Sequence, residues 1–248
     1  MVTETCVAFY TLGMNELVHS RQQGRAVKPA AKRTRVTTRT NDPERTMAGI
    51  MQIATQEFAA KGLAGARIDA IADATHTSKR MIYYYFGSKE GLYLAVLEES
   101  YRRIRQTEED LQLSGLPPAQ GLAKLVGFTF DHHTGNQDFV RLVMSENIQR
   151  GEYLAQSKLI QDMNLSVIQS IQELYERGVK DGVFRKGLDP IDIHASISAL
   201  TFFNVSNRHT FDLIFKRNGH TPRALALRRQ RVIEMVLRFC VIDNSHNS

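Results

Sequence analysis

An all-α fold is what this 248-residue chain predicts, on three grounds. Apolar residues return at the three- and four-residue intervals of amphipathic helices. Ser, Thr or Asp stands ahead of several of these runs, often with Pro directly after. No strand-like alternation of useful length interrupts them. With 42% apolar residues and no tryptophan, the chain can fill one substantial core besides a small module, so two domains and about nine helices are expected.

Residues 1–42 precede the first helical pattern. Arg21, Arg25, Lys28, Lys32, Arg33, Arg35 and Arg39 follow one another without apolar periodicity, which predicts an arm disordered when free. Residues 1–45 hold eight Lys/Arg against four Asp/Glu, or +4 of the net +6. Glu4 stands where a secretion signal would be positive and Glu16 breaks the apolar run, so no signal peptide is read. An over-long gene start stays open for this stretch.

The first helix is capped at Asn41-Asp42-Pro43 and carries the stripe Met47, Ile50, Met51, Ala54 and Phe58. Residues 67–90 then read RIDAIADATHTSKRMIYYYFGSKE, two short helical patterns around a polar turn. Ile68, Ile71 and Ala72 form one stripe, leaving Asp69 and Asp73 outside. In the next helix Ile82 and Phe86 share the buried face, and at about 100° per residue the opposite face gathers Thr77, Arg80, Met81 and Tyr84. Lys79 and Tyr85 flank it. Phe58, Ile71, Ile82 and Phe86 are expected to make a miniature core. A two-turn helix that is cationic outside and apolar inside fits a DNA major groove about 12 Å wide. Gly87 ends it, and Ser88 caps a longer helix to about Arg105, with Lys89 in its first turn, where a cation opposes the helix dipole but suits a phosphate.

The segments FAAKG (Phe58 to Gly62), Ile71-Ala72 and SKRMIYYYFGSKEGLY (Ser78 to Tyr93) resemble the DNA-binding domain of the TetR/AcrR family of transcriptional regulators. The likeness implies a three-helix helix-turn-helix DNA-binding domain over 43–105, with the motif at about 67–86. A C-terminal helical domain for ligand binding and dimerisation would occupy 106–248. Two departures stand out. Thr75-His76-Thr77 replaces the family's small residue, Gly and apolar residue, and His accepts positive φ less readily than Gly. Arg67 stands where a capping Thr is usual. The expected DNA-binding set is Arg67, Thr77, Ser78, Lys79, Arg80, Met81, Tyr84, Tyr85 and Lys89. Arg80 first and Lys79 second suit guanine O6 and N7; Tyr84 and Tyr85 suit phosphate, sugar or thymine methyl; Thr77 and Lys89 suit phosphates, as Arg67 does. Tyr83 is assigned to the core. The basic arm either lies along phosphates or the minor groove, or is a solvated extension.

Beyond the break at Gly115-Leu116-Pro117-Pro118, helical patterns cover about 118–133, 137–150, 152–181, 190–207 and 222–241, with Asp189-Pro190 and Thr221-Pro222 as starts. His132, His133, Phe139, Met144, Asn147, Phe202, Phe203, Asn204 and Asn207 interleave polar and aromatic character with apolar faces, as the lining of a small-molecule pocket does; ordinary core packing is the alternative for each. Leu225, Val232, Ile233, Val236, Phe239 and Cys240 give the last helix a broad apolar face, read either as intrachain core or, as the resemblance implies, as a dimer interface formed with the preceding helix.

The expected partners are therefore a double-stranded, palindromic operator, a small-molecule effector of unknown identity, and a second copy of the chain. The expected function is a repressor released from DNA by its ligand. The alternative is a helical adaptor, or an enzyme without a recognisable catalytic motif: no Gly-rich phosphate loop, nucleophile elbow, HExxH or CxxC pair is found. No cofactor is called for. Asp131-His132-His133 lacks a third ligand at chelating spacing, so no metal is expected. Cys6 and Cys240 sit at opposite ends, no apolar stretch is long enough for a bilayer, and a cytoplasmic protein is the simplest expectation.

Overall fold

The computed structural model describes residues 42–242; the basic arm expected over 1–42 lies outside these residues except for Asp42. The described residues form ten α-helices and two short 3-10 turns, Leu113–Gly115 and Leu154–Gln156. One isolated bridge pairs Phe184 with Val241.

The first four helices are α1 (Pro43–Gly65), α2 (Ile68–Thr75), α3 (Lys79–Phe86) and α4 (Lys89–Glu109). Asp42 Oδ1 caps α1, accepting the Glu44 and Arg45 N–H groups at 3.1 and 3.2 Å. Gly62, at φ 66° and ψ 175°, breaks the helix near its end, and the chain beyond it buries Leu63 and Ala66. Arg67 supplies no side-chain cap to α2; Glu57 Oε1 of α1 instead accepts the Arg67 N–H at 3.1 Å. His76 ends α2 in the left-handed region, φ 51° and ψ 36°, the geometry that glycine takes most easily. Its neighbour's N–H, on Thr77, then reaches Ala72 O at 3.0 Å and closes the turn. Ser78 caps α3 through the Met81 N–H at 3.2 Å, and Ser88 caps α4 through the Gly91 N–H at 3.0 Å.

These helices converge on one core. Ile50, Ala54 and Phe58 from α1 meet Ile68 and Ile71 from α2, Ile82 from α3, and Leu92, Tyr93, Val96 and Leu97 from α4. Phe86 packs on its edge, partly buried. Leu142 and Ile160, from farther along the chain, complete it. Tyr83, expected in the core, is 45% exposed, because it lies about 100° around α3 from Ile82.

The rest of the chain forms α5 (Pro118–Gly135), α6 (Gln137–Ile148), α7 (Lys158–Lys180), α8 (Pro190–Ser206), α9 (Arg208–Ile214) and α10 (Pro222–Cys240). The helix expected over 152–181 is divided because Ser157 caps α7, accepting the Ile160 N–H at 3.1 Å and donating to Glu98 Oε1 at 2.7 Å. The short α9 was not expected from periodicity. It has no side-chain cap, and none of its residues is buried. A second core joins Leu122, Val126 and Phe130 of α5, Ile171 and Leu174 of α7, Ile193 and Ile197 of α8, and Val232, Val236 and Cys240 of α10. Those last three correct the dimer-interface reading: they are sealed within their own chain and offer nothing to a partner. Leu225 and Ile233 pack partly buried on the same core, whereas Phe239 faces outward, 39% exposed.

One polar group is sealed against the first core. Glu146, on α6, is fully buried. Its Oε1 accepts the Tyr93 hydroxyl of α4 at 2.9 Å, and its Oε2 accepts the N–H groups of Tyr153 and Leu154 at 3.2 and 3.0 Å. Burial, and then the Glu146 hydrogen bond, push the Tyr93 phenol well above its ordinary range, so it stays a donor. Glu146→Gln is expected to lose about 1.5–3 kcal/mol in chemical denaturation, and Tyr93→Phe, which leaves the carboxylate its two amides, less. At the turn, His76→Val is expected to destabilise by about 1–2 kcal/mol while His76→Gly and His76→Asn are tolerated, because only the β-branched residue resists the left-handed geometry; thermal melts of the three variants rank them.

Candidate nucleic-acid interface and ligand cavity

The candidate interface begins with α3, whose Ile82 faces the core and whose Lys79, Arg80, Tyr83 and Tyr84 are exposed. Tyr84 is 78% exposed and lies edge-on to Tyr85, ring centroids 5.4 Å apart; Tyr85 leans on the core. Arg80 makes no ion pair among the described residues. Lys79 and Arg67 both turn to Asp69 of α2, Lys79 as a close ion pair and Arg67 at 3.8 Å. Such exposed pairs are worth about 0–1 kcal/mol, so a phosphate can take over either cation at little cost. Ser78 Oγ accepts the Met81 N–H, leaving its proton free to donate outward. Thr77 lies half-buried in the turn, as Met81 does at the edge of the helix. Lys89 Nζ donates to Ala64 O at 3.4 Å, so the cation that opposes the α4 dipole has a structural use at the end of α1 as well.

Farther along α4 the character changes. Tyr101, Ile104, Arg105 and Glu108 share one face, and with Thr129 and His133 of α5, Phe139 and Val143 of α6, Asn164 of α7, and His194, Ser198 and Phe202 of α8 they line a half-open chamber of about 190 Å3. A wider cleft of about 670 Å3 lies between α4, α5 and α7. Arg105 and Glu108 line both, forming a close ion pair between them. Burial drives Glu108 up to about 7 against the pull of Arg105, and lowers the Arg105 guanidinium.

His133 Nδ1 lies 3.0 Å from Thr201 Oγ1, and that hydroxyl donates to Ile197 O at 2.8 Å. The imidazole must therefore donate from Nδ1, which leaves Nε2 as an acceptor. Its ring stacks on Phe139, 6.2 Å between centroids and 10° between planes. Burial holds His132 and His133 down to about 4 and also lowers His194, so the three are neutral at pH 7.

Of the nine residues expected to line a pocket, the chamber gathers His133, Phe139 and Phe202. His132 turns instead to a groove of about 340 Å3 beside α1 and α4. Phe203 and Asn204 sit on another side of α8, in a cavity of about 220 Å3 against α9 and α10, because successive helical residues diverge by about 100°. Asn147 and Asn207 are exposed, their amides spent on Val143 O and Ser206 Oγ at 2.8 Å each, and Met144 is half-buried outside the chamber. Tyr101, Arg105 and Glu108 went unread, although their spacing of four and three residues marks one face of α4.

Glu108 binds its proton more tightly folded than unfolded, so its contribution is present below about 4.5 and lost as pH rises through about 7. Glu108→Gln removes that dependence: its stability relative to the native chain is expected to rise by up to about 3 kcal/mol between pH 4.5 and 8, measured by denaturant titration at several pH values. The histidines act oppositely, their contribution present above 6.5 and lost as pH falls through about 4.

Known protein families match both parts of the chain. A family model described as "Bacterial regulatory proteins, tetR family" matches residues 50–96, and one described as "Tetracyclin repressor-like, C-terminal domain" matches residues 118–236. The chain is 34% identical over 172 residues to the HTH-type transcriptional repressor NicS of Pseudomonas putida, covering 69% of this chain and 81% of that protein. It is 32% identical over 139 residues to the HTH-type transcriptional repressor SCO4008 of Streptomyces coelicolor, covering 56% and 69%. The fold is shared with the ketosteroid transcriptional regulator KstR2 of Mycobacterium tuberculosis, at a TM-score of 0.61 and 22% identity over 84% of this chain and 100% of that one. With both parts of the family's architecture matched and a relative aligned over most of its length, this chain belongs to the TetR family of bacterial transcriptional regulators.

Proposed function

We propose that the chain is a dimeric repressor that occupies a palindromic operator and leaves it when a small molecule enters the chamber beside Arg105. The observation that carries this reading is the placement of α4. Its first half seals the helix-turn-helix core through Leu92, Tyr93, Val96 and Leu97, and its second half lines the chamber with Tyr101, Arg105 and Glu108. A ligand that prefers one setting of α4 thereby prefers one setting of α3. A hundredfold change in operator affinity needs about 2.7 kcal/mol of such preference. Two relatives named as repressors favour repression over activation.

On DNA, Arg80 reads a base, Lys79 assists once released from Asp69, and Tyr84 and Tyr85 position the helix. Arg67, Thr77, Ser78 and Lys89 meet the backbone beside Met81. The second copy supplies the second α3. Phe203, Leu227, Met235 and Phe239, exposed on α8 and α10, favour these outward faces as the interface, with the buried Val232, Val236 and Cys240 behind them. Two such helices demand half-sites about one helical turn, roughly 34 Å, apart or farther. A protein working on operator DNA works in the cytoplasm, and no helix among the described residues is long and apolar enough to cross a membrane.

Fluorescence anisotropy with DNA from upstream of the chain's own gene tests this. Sequence-selective binding by a dimer is expected; equal affinity for random DNA would refute it. Arg80→Ala is expected to cost about 1–3 kcal/mol and relax one operator position, whereas Lys89→Ala weakens all sequences alike. Equal losses on specific and random DNA for Arg80→Ala would remove its assigned role.

A further inference from the structure

Arg105 is 8% exposed, and its Nε is buried without a hydrogen-bond partner among the described residues. Only Nη1 is engaged, by one oxygen of Glu108. A guanidinium is a fork built to grip both oxygens of a carboxylate, so a one-point contact leaves its site half used, and the missing partner is an acceptor. The neighbouring histidines are neutral, which leaves Glu108 as the only charge pairing with Arg105 among the described residues. That carboxylate also lines the wider cleft, where Lys180 and Arg177 sit among Glu109, Glu173 and Glu176. If displaced, it swings into polar surroundings.

Three of the chamber's walls are aromatic, Tyr101, Phe139 and Phe202, with His133 stacked on Phe139, and Thr129, Asn164, His194 and Ser198 add neutral polar groups among them. Its volume of about 190 Å3 is the space of about six waters, enough for one ring with a short substituent. A cationic ligand would face Arg105 directly and leave the orphaned donor orphaned. A neutral ligand would leave the buried charge where it was.

Resting on the effector reading of this chamber, we propose that its ligand is a small aromatic carboxylate whose two oxygens take Glu108's place on the Arg105 guanidinium. Glu108 is then an internal competitor that holds the empty site closed, and Arg105 is the specificity determinant. No bond is made or broken; one ion pair is exchanged for another.

The test uses the full chain, with benzoate and phenylacetate as probes against their neutral amides, benzamide and phenylacetamide. Calorimetry is expected to show the acids binding at least roughly tenfold more tightly than the amides. Glu108→Gln should tighten the acids, because the competitor loses its charge, and Arg105→Lys should weaken them by roughly tenfold or more as the fork is lost; circular dichroism checks that each variant is folded. Amides binding as tightly as acids, looser acid binding by Glu108→Gln, or no binding by either pair would overturn the proposal. Anisotropy on operator DNA separates the two readings. Release by an amide but not by its acid overturns the ligand class and leaves the regulator standing. An acid that binds as expected without ever changing operator affinity supports the ligand class and removes the regulatory role.

Discussion

A carboxylate sealed from water sits where three parts of the chain meet, and the rest of the molecule is arranged around keeping its partners in place. Glu146 accepts from Tyr93 on α4 and from two backbone amides at the turn before α7. A buried charge without partners costs several kcal/mol, so α4, α6 and that turn are held to one mutual setting. Apolar contacts alone tolerate sliding by fractions of an ångström; a buried carboxylate with fixed donors does not.

This constraint gives α4 its mechanical character. The helix has 21 residues, about 30 Å of rise, and Tyr93 pins it near the helix-turn-helix. Arg105 lies twelve residues on, roughly 18 Å along the same axis. Between the two points the helix is a continuous hydrogen-bonded rod, the element through which the proposed ligand would act. Leu142 and Ile160, completing the first core from α6 and α7, make the same point from the other side: the DNA-facing helices are not packed independently of the larger bundle.

The chamber inverts the usual interior. An ion pair, neutral histidines and a tyrosine sit among phenylalanines, and burial moves every titrating group there away from its charged form. Replacing such a cluster with apolar residues is often neutral or stabilising, so its presence argues for use rather than for stability. The exposed side of α3 is the complement: cations held by weak surface pairs and tyrosines half free of the core, available without the loss of anything that holds the fold.

The chain's own residues were enough to place the helices that carry caps and strong periodicity. Asp42, Ser88, Asp189 and Thr221 each cap a helix as their position predicts, and Ile50, Phe58, Ile71 and Ile82 fall in the core that their spacing describes. The His76 departure was also visible, because positive φ is a local property of the turn. What periodicity does not encode is which of two apolar neighbours meets which helix. Phe202 and Phe203 look alike in the sequence and face different cavities; Val232 and Phe239 share one helix, yet one is core and the other surface. Tyr101, Arg105 and Glu108 become a cavity wall only where α5, α6, α7 and α8 close over them, and Glu146 becomes a buried acid only where Tyr93 reaches it. Local sequence determines an element's pattern, but the burial of a polar group depends on partners dozens of residues away, and that was decided by the tertiary fold.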